Sequence, residues 1–129
     1  MHPYQRLVVW QRAHALAVSL YDPAALDESA RYRALVDQIR RCAGSIASNI
    51  AEGAGSDSQA SFARYLGIAL ASACELESHF LLAREVGCTT RANGERYASS
   101  VESLKRMLSA LRREVKSPTR VRRAKDGGP

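Results

Sequence analysis

Two stretches of this sequence carry apolar side chains at alternating spacings of three and four residues. This spacing places the side chains on one face of an α-helix, and the helices of antiparallel bundles turn such faces toward a shared core. The first stretch comprises Phe62, Leu66, Ala69, Ala73, Leu76, Phe80 and Ala83, and the second Tyr97, Val101, Leu104, Leu108, Leu111 and Val115. The pattern therefore predicts long helices in the second half of the chain.

The first half also predicts helices, because the alternating β-branched runs typical of strands are missing. Four helices are expected, at about 6–21, about 28–52, from Asp57 or Ser58 to Gly87, and at about 90–116. Asp27 is the expected N-cap of helix 2, and Gly53 is its expected left-handed C-terminal residue. Because the connections are short, the predicted fold is all-α, an antiparallel up-down-up-down four-helix bundle. It spans residues 1–116, and residues 117–129 form a basic tail that we expect to be disordered.

Length and cysteine content limit the class of protein. A chain of 129 residues with 46% apolar side chains predicts one domain with one core. No stretch approaches the roughly 18 apolar residues of a bilayer crossing, and no secretory signal is recognisable. Cys42, Cys74 and Cys88 have no C-x-x-C spacing, so they are interpreted as small core residues in a reducing environment. We therefore expect a cytoplasmic protein without membrane contact.

Helices 2 and 3 each carry a second face that a lone bundle does not explain. Helix 2 should turn Leu35, Ile39, Cys42, Ile46 and Ile50 to the core, while Gly44, Ala47, Ser48 and Ala51 face roughly backwards. Helix 3 carries a second apolar stripe of Ile68, Leu82 and Val86, which also includes Glu75 and His79. Small residues let another backbone approach closely, so these two faces predict self-association. The alternative is that they simply face solvent.

A polar line of Gln38, Ser45, Asn49 and Glu52 flanks the core face of helix 2 and can meet Glu75 across the hairpin of helices 2 and 3. A carboxylate there would need amide or hydroxyl donors, which favours a structural network that fixes the register of the helices. A hydrolytic or metal site is the alternative. Metal-binding bundles carry Glu-x-x-His pairs, and none occurs here. No catalytic, metal-binding or cofactor-binding residue is therefore predicted.

Positive charge is concentrated at the C-terminal end. The formal net charge is +6, but residues 105–125 carry +8 and the remainder −2. Phosphate contacts are therefore expected here, from Lys105, Arg106, Arg112, Arg113, Lys116, Arg120, Arg122, Arg123 and Lys125. Few aromatic residues accompany them, so base stacking is not expected. The alternative is an ordinary solvated basic face.

The stretches QIRRCAGSIASNIAEG and FARYLGIALASACELE, with LVVWQRAHALAVSLY before them, resemble the bacterial four-helix-bundle proteins associated with 23S rRNA intervening sequences. The resemblance covers about residues 6–115. It points to Gln38, Arg41, Ser45, Asn49, Glu52 and Gly53 on helix 2, and to Leu66, Ser72, Glu75 and Glu77 on helix 3. It implies a homopentameric ring without known enzymatic activity. Similar bundles include the accessory proteins of diversity-generating retroelements, which bind nucleic acid and a reverse transcriptase.

Two positions depart from that family pattern. The loop after Gly53 lacks the basic residue that the family often carries, and Ser61 stands where an acidic residue commonly precedes the phenylalanine. The loop is therefore a poor phosphate-binding candidate.

Two functions remain open at this stage, and neither is enzymatic. The first is an oligomeric scaffold that holds nucleic acid, RNA in particular, through helix 4 and the tail. The second is a scaffold that docks a protein partner, with nucleic-acid binding incidental. An enzyme that uses Glu52 and Glu75 is a weaker third alternative, because no nucleophile–base or metal spacing accompanies them.

Overall fold

The computed structural model describes residues 3–117, and within that range every regular element is helical. The four α-helices are α1 (Val8–Ser19), α2 (Arg33–Ala54), α3 (Gln59–Glu85) and α4 (Arg91–Lys116). Two short 3-10 helices, Pro3–Arg6 and Ala30–Tyr32, precede α1 and α2. Each helix packs against the next one along the chain, and together they make an antiparallel four-helix bundle. The predicted fold class is confirmed.

The limits of α3 and α4 agree with the sequence signals. The Ser58 hydroxyl accepts a hydrogen bond from the Ser61 amide at 3.0 Å, and the Thr90 hydroxyl accepts one from the Asn93 amide at 3.1 Å. Each hydroxyl thus satisfies an amide that the first helical turn leaves unpaired. Gly87 follows the end of α3 with a φ of +84°, a left-handed conformation that favours glycine.

The limits of α1 and α2 differ from those expected. α1 is shorter than predicted, and α2 begins at Arg33 rather than near residue 28. Asp27 does not cap α2, because its carboxylate accepts a hydrogen bond from the Ser29 amide at 2.9 Å in the preceding turn. That hydrogen bond stabilises the charged form and lowers the pKa of Asp27.

Gly53 is not the left-handed terminus of α2. It lies inside that helix, and Gly87 is the one described residue with a positive φ. A Cβ on Gly53 would lie 2.7 Å from the Tyr65 Cβ and 3.1 Å from the Phe62 ring. Glycine at this position therefore allows α2 and α3 to approach closely.

The core follows the predicted apolar faces. The fully buried side chains include Ile39, Ile46 and Ile50 of α2, Leu66 and Leu76 of α3, and Val101, Leu104, Leu108 and Val115 of α4. The Phe80 and Tyr97 rings stack across α3 and α4 with their centroids 5.1 Å apart. Cys42 and Cys88 are buried as expected, whereas Cys74 is exposed, because it lies on the side of α3 outside the core face.

The loop between α1 and α2 packs on the connection between α3 and α4 at one end of the bundle. The Asp27 amide donates to the Cys88 carbonyl at 2.7 Å, and the Thr89 hydroxyl donates to the Ala25 carbonyl at 3.0 Å. The Tyr32 hydroxyl donates to the Val86 carbonyl at 2.7 Å. These bonds fix the ends of all four helices relative to one another.

α3 is apolar on more than its core face. By length and composition it is long and apolar enough to cross a membrane, although no continuous apolar stretch of that length occurs in it. A core helix of a bundle passes the same test, and here α3 packs extensively against both α2 and α4. The excess apolar surface of α3 matters below because part of it faces outward.

Candidate functional site

The C-terminal half of α4 carries a basic surface. Arg106, Arg113 and Lys116 are exposed, and none of them forms an ion pair with a residue in the range 3–117. A shallow cavity of about 440 Å³ lies beside them. Its lining consists of Leu70, Ser109, Arg112, Arg113, Lys116 and Ser117, with three basic side chains and no acidic one. The cavity therefore offers positive charge and hydroxyl groups to an anion.

Arg112 is held in place by α3 rather than extended into solvent. Its Nε donates to the Ala63 carbonyl at 3.3 Å, and the side chain is half-buried. A Cβ on Gly67 would lie 3.2 Å from that Nε, so the missing side chain leaves room for the guanidinium to cross α3. The sequence analysis did not single out Gly67, although a glycine in the middle of an apolar helix is a signal of close approach.

Lys105 is a correction to the predicted basic surface. Its Nζ lies 3.2 Å from Glu77 Oε1 and 3.7 Å from Glu102 Oε2. The hydrogen bond to Glu77 raises the pKa of Lys105 by stabilising its charged form. The amine is thus charged but engaged by two carboxylates, one from α3 and one from α4 itself. It adds little free positive charge to the surface.

Arg120, Arg122, Arg123 and Lys125 lie outside the described residues, as does nearly all of the predicted tail. The positive surface that the structure describes is therefore formed by Arg106, Arg112, Arg113 and Lys116. We call this set the basic end.

The polar line of α2 makes only part of the predicted network. The Ser45 hydroxyl is 2.9 Å from the Ser72 hydroxyl of α3, and the Asn49 amide donates to the Ser45 carbonyl at 2.7 Å. Gln38 and Glu52 are exposed and form no hydrogen bond with another described side chain. The link between the two helices is therefore a serine pair rather than a carboxylate network.

Glu75 does not reach the polar line as expected. Its side chain is 59% exposed, and its carboxylate contacts His79 of the same helix at 3.4 Å. Water solvates this carboxylate, so no donors from α2 are required. Its charge still acts on the buried thiol of Cys42: burial and, secondarily, Glu75 raise the pKa of Cys42 to about 11.

The second apolar stripe of α3 lies open on the outside of the bundle. Ile68 is 38% exposed, Leu82 47% and Val86 41%. On α2, Ser48 is exposed and Gly44 and Ala51 are half-buried, but Ala47 is buried in the core, contrary to its predicted backward orientation. Ala47 lies four residues after the buried Ala43 and three before the buried Ile50, and this spacing places it on the core face of α2. We call Ile68, Leu82 and Val86 the outer stripe.

The three thiols should differ in reactivity. In native protein at pH 8, iodoacetamide should label Cys74 and leave Cys42 and Cys88 unmodified, because burial excludes the reagent and raises the pKa of both buried thiols. Mass spectrometry of tryptic peptides measures this, and the Cys74→Ser variant should show no labelling until it is unfolded. Labelling of Cys42 in the native state would contradict the packing between α2 and α3.

No cluster of three or more histidine, cysteine, aspartate or glutamate side chains that could hold a metal ion occurs in the described part of the chain. His14 is exposed, and its ring stacks on Trp10 with ring centroids 4.7 Å apart.

Comparisons with known proteins agree with this architecture. A crystal structure of a protein of unknown function from the S23 ribosomal protein family of Bacteroides thetaiotaomicron is similar, with a TM-score of 0.76 and 26% sequence identity. The match covers 85% of this chain and all of that one. A comparison with curated proteins gives no match. The family model described as 23S rRNA-intervening sequence protein matches residues 5–110, and the chain therefore belongs to this family.

Proposed function

We propose that this protein is a non-enzymatic oligomeric scaffold that binds nucleic acid, RNA in particular, through electrostatic contacts at the basic end. The observation that carries the proposal is the cavity between Leu70 and the end of α4, which three basic side chains line without an acidic one. Phosphate groups are the anions that such a surface meets on a polyanion. The family's link to 23S rRNA genes favours RNA as the nucleic acid.

The arrangement of the basic end supports backbone contact rather than base reading. Arg112 is positioned by the Ala63 carbonyl, while Arg113 and Lys116 extend from an exposed face. Positioned guanidinium groups suit phosphate oxygens, and flexible lysines add charge without geometric demands. We therefore expect affinity that depends strongly on salt and weakly on sequence. The residues of the tail would extend the same contact.

Self-association would multiply these contacts. The outer stripe leaves three large apolar side chains partly exposed on one helix face, a feature that marks interaction surfaces on soluble proteins. In a homopentameric ring, five basic ends would meet one polyanion, and weak single contacts would combine through effective concentration.

The proposal is tested by charge reversal at the two ends of the bundle. The Arg113→Glu/Lys116→Glu variant should bind single-stranded RNA at least tenfold more weakly at 100 mM salt and show a shallower dependence of log affinity on log salt. The control, Arg33→Glu/Arg91→Glu, makes the same change in net charge at the opposite end of the bundle and should retain affinity. Fluorescence anisotropy at several salt concentrations measures both.

An equal loss in both variants would mean that binding follows net charge alone, which contradicts a specific basic end. RNA and DNA of the same length distinguish the two nucleic acids in the same assay. Deleting residues 117–129 should weaken binding further without changing the melting temperature, because the core positions that the structure describes all precede residue 117.

A protein-docking scaffold is the second candidate, and the outer stripe favours it. If the stripe meets a different protein rather than a second copy, the chain would be monomeric alone, and the basic end would contribute little. An enzymatic role has less support, because Glu52 and Glu75 are both exposed and Glu75 contacts only His79.

A further inference from the structure

A groove lies between α1 and α4. Its volume is about 530 Å³, within the usual range for small-molecule sites. Leu16, Ala25, Tyr97 and Leu104 form a buried floor. The walls and rim carry polar groups: Arg12, Ser19, Asp22, Asn93, Arg96, Ser100 and Ser103. An apolar floor with a few convergent polar groups is typical of a ligand site.

Tyr97 has a hydroxyl without a partner. The residue is only 4% exposed, and its ring stacks on Phe80, but its hydroxyl makes no hydrogen bond within residues 3–117. Among the side-chain oxygens of that range that are fully buried, Gln59 Oε1 is the one without a partner. The unpartnered Tyr97 hydroxyl is therefore not fully buried, and solvent reaches it. Tyr97 is also one of the residues that line the groove. A buried tyrosine normally finds a hydrogen-bond partner.

The groove also holds two guanidinium groups that no carboxylate neutralises. Neither Arg12 nor Arg96 forms an ion pair with a described residue. The Arg96 guanidinium donates a hydrogen bond to the neutral side chain of Asn93 at 2.8 Å. It also lies over the Tyr97 ring. Asp22 is the one acidic residue of the lining, and its carboxylate accepts the Ala24 amide at 2.9 Å. The groove therefore presents excess positive charge beside an unpartnered hydroxyl.

From these observations we infer that the groove binds a compact organic dianion, with acid groups at Arg12 and Arg96 and an oxygen of its body at the Tyr97 hydroxyl. The ligand could carry carboxylates or a phosphate ester, since guanidinium groups recognise both. Ser103, which is half-buried without a hydrogen bond to a described residue, supplies a second hydroxyl beside the floor. This site does not depend on the proposed function, because the basic end occupies the opposite end of α4.

The test uses succinate, citrate and ribose 5-phosphate as probes, with sodium sulfate at equal ionic strength as an inorganic anion. Isothermal titration calorimetry on the full chain should show saturable binding of at least one organic probe, with sulfate at least tenfold weaker. Succinate and citrate report carboxylate recognition, and ribose 5-phosphate reports phosphate-ester recognition. No saturable binding of any organic probe, or equal binding of sulfate, would overturn the inference.

Two variants locate the site. Tyr97→Phe should weaken binding about threefold to tenfold and leave the melting temperature of the free protein unchanged, because the hydroxyl has no partner to lose. Arg12→Gln/Arg96→Gln should weaken binding at least tenfold. Arg33→Gln/Arg91→Gln removes the same charge elsewhere and should bind normally. Unaltered binding in both groove variants, or an equal loss in the control, would place the anion elsewhere and overturn the inference.

Discussion

We expect the unmodified chain to assemble and the Ile68→Glu/Leu82→Glu variant to be a folded monomer. Both side chains belong to the outer stripe and are 38% and 47% exposed in the single chain. Covering them in an interface contributes about 1 kcal/mol each, and a carboxylate placed there would lose hydration. Together these effects should raise the dissociation constant of the interface at least about a hundredfold.

Val8→Glu/Val18→Glu is the matched control for assembly. These valines are 53% and 58% exposed on α1, away from the outer stripe, and the substitution adds the same charge and removes comparable apolar surface. This variant should keep the oligomeric state of the unmodified chain. Light scattering coupled to size-exclusion chromatography at micromolar concentration measures both, and circular dichroism checks that each variant is folded.

An unmodified chain that is monomeric at micromolar concentration would contradict self-association through the outer stripe. An assembly that survives in the Ile68→Glu/Leu82→Glu variant would place the interface elsewhere. A monomer that nevertheless binds RNA with unchanged affinity would separate the basic end from the ring, and one basic end would then suffice.

The sequence was most informative where local chemistry decides structure. Ser58, one of the two caps expected for α3, caps that helix, and Thr90 caps α4 close to its expected start, because a hydroxyl before a helical run has an unpaired amide in reach. The apolar faces of both helices were recognised because periodicity depends on the helix alone. The start of α2 was predicted too early, because the Asp27 carboxylate accepts a hydrogen bond within the preceding turn instead of capping the helix. That turn is held by the hydrogen bond from the Asp27 amide to the Cys88 carbonyl, a contact between distant segments of the chain.

The candidate site was less predictable, since the pairing of charged residues depends on which helix faces lie side by side. Lys105 looked like its neighbours in sequence, yet Glu77 of α3 lies within 3.2 Å of its amine. Glu75 lies in an apolar stripe but is exposed, because that stripe faces outward in the single chain. The groove at Tyr97 had no sequence signal, since it arises from loose packing between the first and last helices.

Gly53→Ala should destabilise the protein, although alanine is a better helix former than glycine. The added Cβ would lie 2.7 Å from the Tyr65 Cβ, a backbone-proximal atom that cannot rotate away, and 3.1 Å from the Phe62 ring. The two helices must separate locally, and overpacking of this kind costs about 1–3 kcal/mol. For a chain of this size, we expect the melting temperature to fall by roughly 5–15 °C.

Gly44→Ala is the internal comparison for that substitution, because it makes the same chemical change in the middle of the same helix. A Cβ on Gly44 would meet nothing within 4 Å, so the gain in helix propensity, about 1 kcal/mol, should appear as added stability. Denaturant unfolding of the two variants measures the difference, which should be about 2–4 kcal/mol in favour of Gly44→Ala. If both variants were stabilised, the close approach of α2 to α3 at Gly53 would be wrong. If Gly44→Ala instead weakened assembly, α2 would meet a neighbouring chain at this position, and the small residue would be required there for contact rather than for folding.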